Sequence, residues 1–144
     1  MVSKWLLKEE PKHYSFDDLL REGGRTTWNG VRNNLALKYL RSVKKEDQAF
    51  YYHSGSETAI IGTLKILSDP YPDPDGSDPR YVVVDVEATD KLPRPISLSE
   101  MRKNDDFKNF DLLRLPRLSV LPVPQPIWNK ILSMSGFLRK QSSN

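Results

Sequence analysis

Apolar and polar positions along the chain follow two periods. KWLLK (residues 4–8) is a short apolar run bounded by charge and then by Pro11, the pattern of a strand entering a core. Ser15 or Asp17 is placed to cap a short helix through Leu19 and Leu20. Val31, Leu35, Ala36, Tyr39, Leu40 and Val43 then recur at helical spacing, with the N-cap expected at Asn29 or Gly30. From Ala49 the period returns to two. AFYYHS reads as a strand, and AIIGTLKIL (59–67) sets Ile60, Leu64 and Ile66 on one face with Gly62 between them. YVVVDVEAT (81–89) alternates most cleanly, Val82, Val84, Val86 and Ala88 inward and Asp85 and Glu87 outward. LSEMRKND after Pro95 predicts a short helix and RLSVLPV (117–123) a last strand. PQPIWNKIL predicts a closing helix, with Pro126 in its first turn and Ile127, Trp128, Ile131 and Leu132 facing in. Short strands and short helices in no strict alternation imply an α+β fold, a small mixed β-barrel wrapped by helices. One domain is expected over residues 1–137, with a frayed tail at 138–144.

Composition narrows the chemistry. Lys plus Arg number 22 against 19 Asp plus Glu, so the net charge of +3 is too mild to hold DNA by charge alone. A nucleic-acid partner would need a local basic surface and a base pocket. The chain has no Cys, which excludes disulfides, Cys nucleophiles and thiolate zinc sites. With only two His, neither a metal nor another cofactor is expected. SDPYPDPDGSDPR (68–80) reads as a stiffened connection; its Asp residues lack the spacing of a calcium loop. No apolar run approaches the roughly 20 residues of a membrane span, and the N-terminal apolar run is too short for a leader. A cytoplasmic protein is expected, nucleoid-associated or, in a eukaryote, nuclear.

The stretch that asks for a function is TTWNGVRNNLA (26–36). A turn that only reverses the chain has no use for Trp28, and burial of an indole here looks hard to arrange. Gly30 lets backbone approach a ligand closely, Arg32 brings a fork of donors, and Asn33 brings donors and an acceptor. The following helix N-terminus suits a phosphate. A stacking face, edge donors and a backbone anchor are what a nucleobase requires. Other constellations are weaker. His53 and Ser54 are strand neighbours and so point to opposite faces, which disfavours a catalytic dyad. Lys8 and Glu10 share a face, but a solvated ion pair is the commoner reading of a Lys-x-Glu at a strand end.

WLLKEEP (5–11), YSFDDL (14–19), TTWNGVRN (26–33), FYYHS (50–54), IIGTLKI (60–66), YPDP (71–74), RPISL (94–98) and LLRLPRLSVLPV (112–123) occur in this order, followed by the helix bearing Trp128. In that series the chain resembles the EVE domain family of the PUA-like superfamily, over about nine-tenths of its length. The resemblance implies a PUA-like barrel whose pocket receives methylated or hydroxymethylated cytosine, or N-methylated adenine, in DNA or RNA. Carried over by motif, the expected pocket comprises Trp28 as stacking wall with Asn29, Val31, Arg32 and Asn33. Lys8 and Glu10 join it from the first strand, Tyr52, His53 and Ser54 from the central strand, and Arg117, Leu118 and Ser119 from the loop before the last. Two positions depart from the family pattern: Asn29 stands for Asp in TWDGVRN, and Glu9 for Ser in KSEP.

Three functions follow as expectations. The first is a non-catalytic reader of a modified base, with backbone contacts from Arg114 and Arg117 and an effector protein the sequence does not identify. The second is an amidohydrolase acting on a modified nucleoside, with Lys8, Thr27 and Glu10 in the roles some PUA-like enzymes give to Lys, Thr and Glu. The third is an interaction module in which the cluster is a surface patch.

Overall fold

A computed structural model describes residues 2–137, so the tail expected at 138–144 lies outside the described residues. The elements run β1 (Lys4–Glu9), α1 (Phe16–Arg21), β2 (Arg25–Trp28), α2 (Asn34–Ser42), β3 (Gln48–His53), β4 (Ala59–Ile66), β5 (Tyr71–Pro72) and β6 (Val82–Ser97). Then follow α3 (Leu98–Arg102), a 3₁₀ turn (Asp105–Phe107), α4 (Asp111–Arg114), β7 (Val120–Pro122) and α5 (Gln125–Ser135). The strands form one mixed sheet in the order β2-β6-β4-β3-β1-β7, with β5 paired to β6. Among the described residues only β1 and β3 run parallel; the other pairs are antiparallel. Helix α2 packs on both β6 and β7, which stand toward opposite sides of the sheet. This is the mixed α+β barrel-like architecture the patterning predicts.

The ladder between β4 and β6 is interrupted twice. β4 and β6 lose register between Ile60 and Gly62, and again between Thr63 and Leu64. Pro93 and Pro95 fall in the first of these bulges, where β6 has no ladder partner on β4 and a missing N–H costs nothing. Gly62 admits the ring of Phe16: a Cβ there would lie 2.5 Å from the ring's Cζ. That close approach seats α1 on the sheet. Ser15 caps α1 through a reciprocal capping box with Asp18.

Three expectations need correction. The N-cap of α2 is Asn33, whose Oδ1 accepts from the Ala36 N–H at 3.0 Å, rather than Asn29 or Gly30. The helix starts later because Gly30 adopts φ +80° in a turn of its own. The buried face is Ala36, Leu37 and Leu40; Leu35 is 39% exposed. Residues 25–28 form a strand on β6, not part of a turn, and Trp28 at its end is buried.

Candidate nucleic-acid interface

Parallel pairing of β1 and β3 brings their C-terminal ends out together. Lys8 stands beside Tyr52 and Glu9 beside His53. The Ser54 N–H then donates to the Glu9 carbonyl at 3.0 Å. From the other side, the Lys8 N–H donates to the Ser119 carbonyl at 3.0 Å, which draws in the Arg117–Ser119 loop. The end of β2 and the Asn29–Asn33 turn complete this rim. Of the expected residues, Trp28 and Asn29 line one opening there and Asn33, Arg117 and Leu118 another.

The turn has an opening at each end. Asn29 lines a cleft of about 270 Å³ with Glu9, His13, Tyr14, Thr26, Thr27 and Trp28. Asn33 lines another of about 330 Å³, with Leu35, Arg114, Leu115, Pro116, Arg117 and Leu118. The first is polar and carries a carboxylate. The second is apolar and carries two guanidinium groups. Leu115, 37% exposed, joins Leu35 there, so two of the large exposed apolar side chains meet in one opening.

Placement differs from expectation at several residues. Trp28 is 5% exposed and packs edge-on against Tyr51, with ring centroids 5.3 Å apart at 86°. It therefore lends the Asn29 cleft an edge rather than an open stacking face. Its burial follows from strand alternation: Trp28 and Thr26 share one face of β2, Arg25 and Thr27 the other. Arg32 turns away, lying 4.1 Å over the Tyr81 ring and 3.9 Å from an Asp73 oxygen. Glu10 lines neither opening; its carboxylate lies 3.5 Å from His13 Nε2, and its Cγ rests against Gly55. Val31, Tyr52 and Leu118 are buried supports.

Lys8 Nζ donates to the Pro116 carbonyl at 2.9 Å and lies 5.5 Å from the Tyr52 ring. Burial lowers its pKa. His53 Nε2 accepts the Phe16 N–H at 3.0 Å, so the proton of the neutral ring sits on Nδ1. Burial, chiefly, lowers its pKa as well. The hydrogen bond makes His53 a support of α1. Tyr51 underpins the Asn29 cleft: its hydroxyl donates to the Tyr14 carbonyl, and burial pushes its pKa up.

Each member of the hydrolase trio is engaged by another neighbour, Glu10 by His13. Thr27 Oγ1 donates to Asp85 at 2.9 Å, Lys8 Nζ is held on Pro116, and the two line no common opening. Among the described residues no three His, Asp or Glu side chains converge as a metal-binding group. Glu9, His13, Tyr14 and Thr26 were missing from the expected pocket. Glu9 was legible in principle, because alternation along β1 points it opposite to its neighbours Lys8 and Glu10.

Comparison with known proteins finds relatives over nearly the whole chain. The profile of the EVE domain matches residues 3–134. Rat thymocyte nuclear protein 1 is 33% identical over 163 aligned positions, covering 90% of this chain and 72% of that protein. The solution structure of Rpa0253 from Rhodopseudomonas palustris superposes with a TM-score of 0.88 at 33% identity, covering 95% of each chain. The crystal structure of human THYN1 protein in complex with 5-methylcytosine-containing DNA superposes at 0.84 and 31% identity, covering 92% of this chain and 97% of that one.

Proposed function

This chain belongs to the EVE domain family, and from that premise we propose that it is a non-catalytic reader of modified cytosine in DNA. The flipped base enters at the Asn29 end of the turn, and the strand that carries it runs past Arg114 and Arg117 at the Asn33 end. The observation behind this reading is the pair of openings of opposite character on one short turn. A base needs polar edge groups; a sugar–phosphate strand needs cations beside apolar contacts. The human relative's structure with 5-methylcytosine-containing DNA supports the ligand class. Such a protein works where DNA is, in a nucleoid or a nucleus.

Magnitudes constrain the mechanism. Stacking returns roughly 1–3 kcal/mol per base, about what flipping consumes. With Trp28 buried, stacking contributes toward the lower end. Burying one methyl adds about 0.8 kcal/mol, roughly fourfold in affinity. Net affinity therefore comes from edge hydrogen bonds and phosphate contacts.

The test is fluorescence anisotropy with labelled oligonucleotides that differ at one position: cytosine, 5-methylcytosine, 5-hydroxymethylcytosine or N6-methyladenine, each in DNA and RNA. Saturable binding that favours a C5-modified cytosine in DNA supports the reading. Equal affinity for every probe at low salt overturns it, and preference for N6-methyladenine or for RNA would replace the ligand.

A further inference from the structure

5-Methylcytosine and thymine carry the same methyl group at the same ring position. A pocket that senses only the methyl cannot tell them apart. They differ along one edge: cytosine offers a 4-amino donor beside the N3 acceptor, whereas thymine offers the O4 acceptor beside an N3–H donor. Whatever rejects thymine must therefore be a polar group facing that edge.

The Asn29 cleft holds few free candidates. The Tyr14 hydroxyl donates to Glu22 at 2.9 Å, and the Thr27 hydroxyl donates to Asp85 at 2.9 Å. Glu9 is the single carboxylate among the lining residues. Its Oε1 accepts from the Glu10 N–H at 2.9 Å, which fixes the group's orientation. Its backbone is held as well, by the Ser54 N–H and by parallel register with His53. Oε2 has no partner among the described residues. The Asn29 amide has none either, and it follows the strand directly, next to Gly30 with its φ of +80°.

We infer that Glu9 and Asn29 are the edge-reading pair of this protein, and that its ligand class is the 4-aminopyrimidines. This rests on the reader function proposed above. Glu9 Oε2 accepts from the 4-amino group, and the Asn29 amide donates to the neighbouring ring acceptor. Against thymine, Oε2 would face O4, two acceptors with no proton between them, and desolvating that pair is penalised. A matched edge of two hydrogen bonds discriminates by roughly ten- to a hundredfold.

The experiment compares one duplex carrying 5-methylcytosine, thymine or 5-methyl-2-pyrimidinone (which lacks the 4-amino group) at the same position. It uses the wild type, Glu9→Gln and Asn29→Ala. In Glu9→Gln the side-chain oxygen stays on the Glu10 N–H, and the amide nitrogen then faces the base as a donor. Wild type should favour 5-methylcytosine over thymine by at least about tenfold, and the ratio should fall to about one or invert in Glu9→Gln. The pyrimidinone should bind wild type as weakly as 5-methylcytosine binds the variant, with no further loss when both changes are combined. Asn29→Ala should weaken 5-methylcytosine binding more than thymine binding.

An unchanged ratio in Glu9→Gln, or a pyrimidinone that binds wild type as well as 5-methylcytosine does, overturns the inference while leaving the reader function standing. If Glu9→Gln binds nothing, the pyrimidinone result in wild type decides. Failure of the wild type to prefer any C5-modified cytosine over cytosine in the anisotropy series overturns the underlying function instead.

Discussion

The two ends of the Asn29–Asn33 turn lie four residues apart in sequence and carry opposite chemistry. The Asn29 end is lined by strand residues with fixed side chains: Glu9 tied to Glu10, Thr27 to Asp85, Trp28 to Tyr51. The Asn33 end is lined by a helix start and the loop residues 115–118, and its arginines are exposed. Arg114 pairs with Asp111 at 2.9 Å, and Arg117 has no ion pair among the described residues. A rigid polar cleft can read a base edge, since discrimination requires groups that do not move to suit the wrong ligand. A mobile cation needs only to follow a phosphate. The difference separates specificity from affinity, and each part can be removed alone.

The largest effect should come from Trp28→Ala. Removing a buried indole that packs on Tyr51 should destabilise the fold by about 3–5 kcal/mol, measured by urea denaturation. A change of under about 1 kcal/mol would mean that the indole serves ligand rather than core. Next is Asn33→Ala, which deletes the α2 cap and should cost about 0.5–2 kcal/mol of stability. It should disturb strand binding with little change in the preference for a modified base. Arg117→Ala should weaken binding equally for modified and unmodified DNA and lower the salt slope by about one. A selective loss for one base would break the division of labour.

The smallest effect is on pH. His53 has a folded pKa below its unfolded value, so between the two the unfolded chain binds the extra proton. Stability should therefore fall as pH drops through about 6.5 toward the folded value. His53→Gln keeps an acceptor for the Phe16 N–H and should flatten that slope in thermal melts across pH 5 to 7.5. The disturbance should reach the Asn29 cleft, because His53 packs on Tyr51 at 5.5 Å, and should spare the Asn33 end.

Much of this was legible in the chain. Alternation located β4 and the first half of β6, whereas β1 and β3 were legible as short apolar runs, because both bury consecutive residues. It did not locate β2, since RTTW carries only one apolar side chain and its pairing partner on β6 lies nearly 60 residues away. The second half of β6 was hidden by Pro93 and Pro95, which are tolerated only because the bulge removes their partners. The motifs brought the right segments together. They could not say which side chains in those segments were already committed: Arg32 goes to Tyr81, Lys8 to Pro116 and His53 to α1. Those commitments are set by neighbours distant in sequence. Alternation sets Glu9 and Glu10 on opposite faces, but which face meets the cleft depends on the packing around β1.

The most direct test is a salt series on wild type, with affinity measured for one DNA duplex containing a single 5-methylcytosine and for the same duplex containing cytosine. If one end of the turn reads the base and the other holds the strand, both affinities fall with salt along parallel lines, and the ratio between them stays constant. If the ratio is one at every salt concentration, or decays with salt as steeply as the affinities do, the base is not read at a site separate from the phosphate contacts, and the account is wrong.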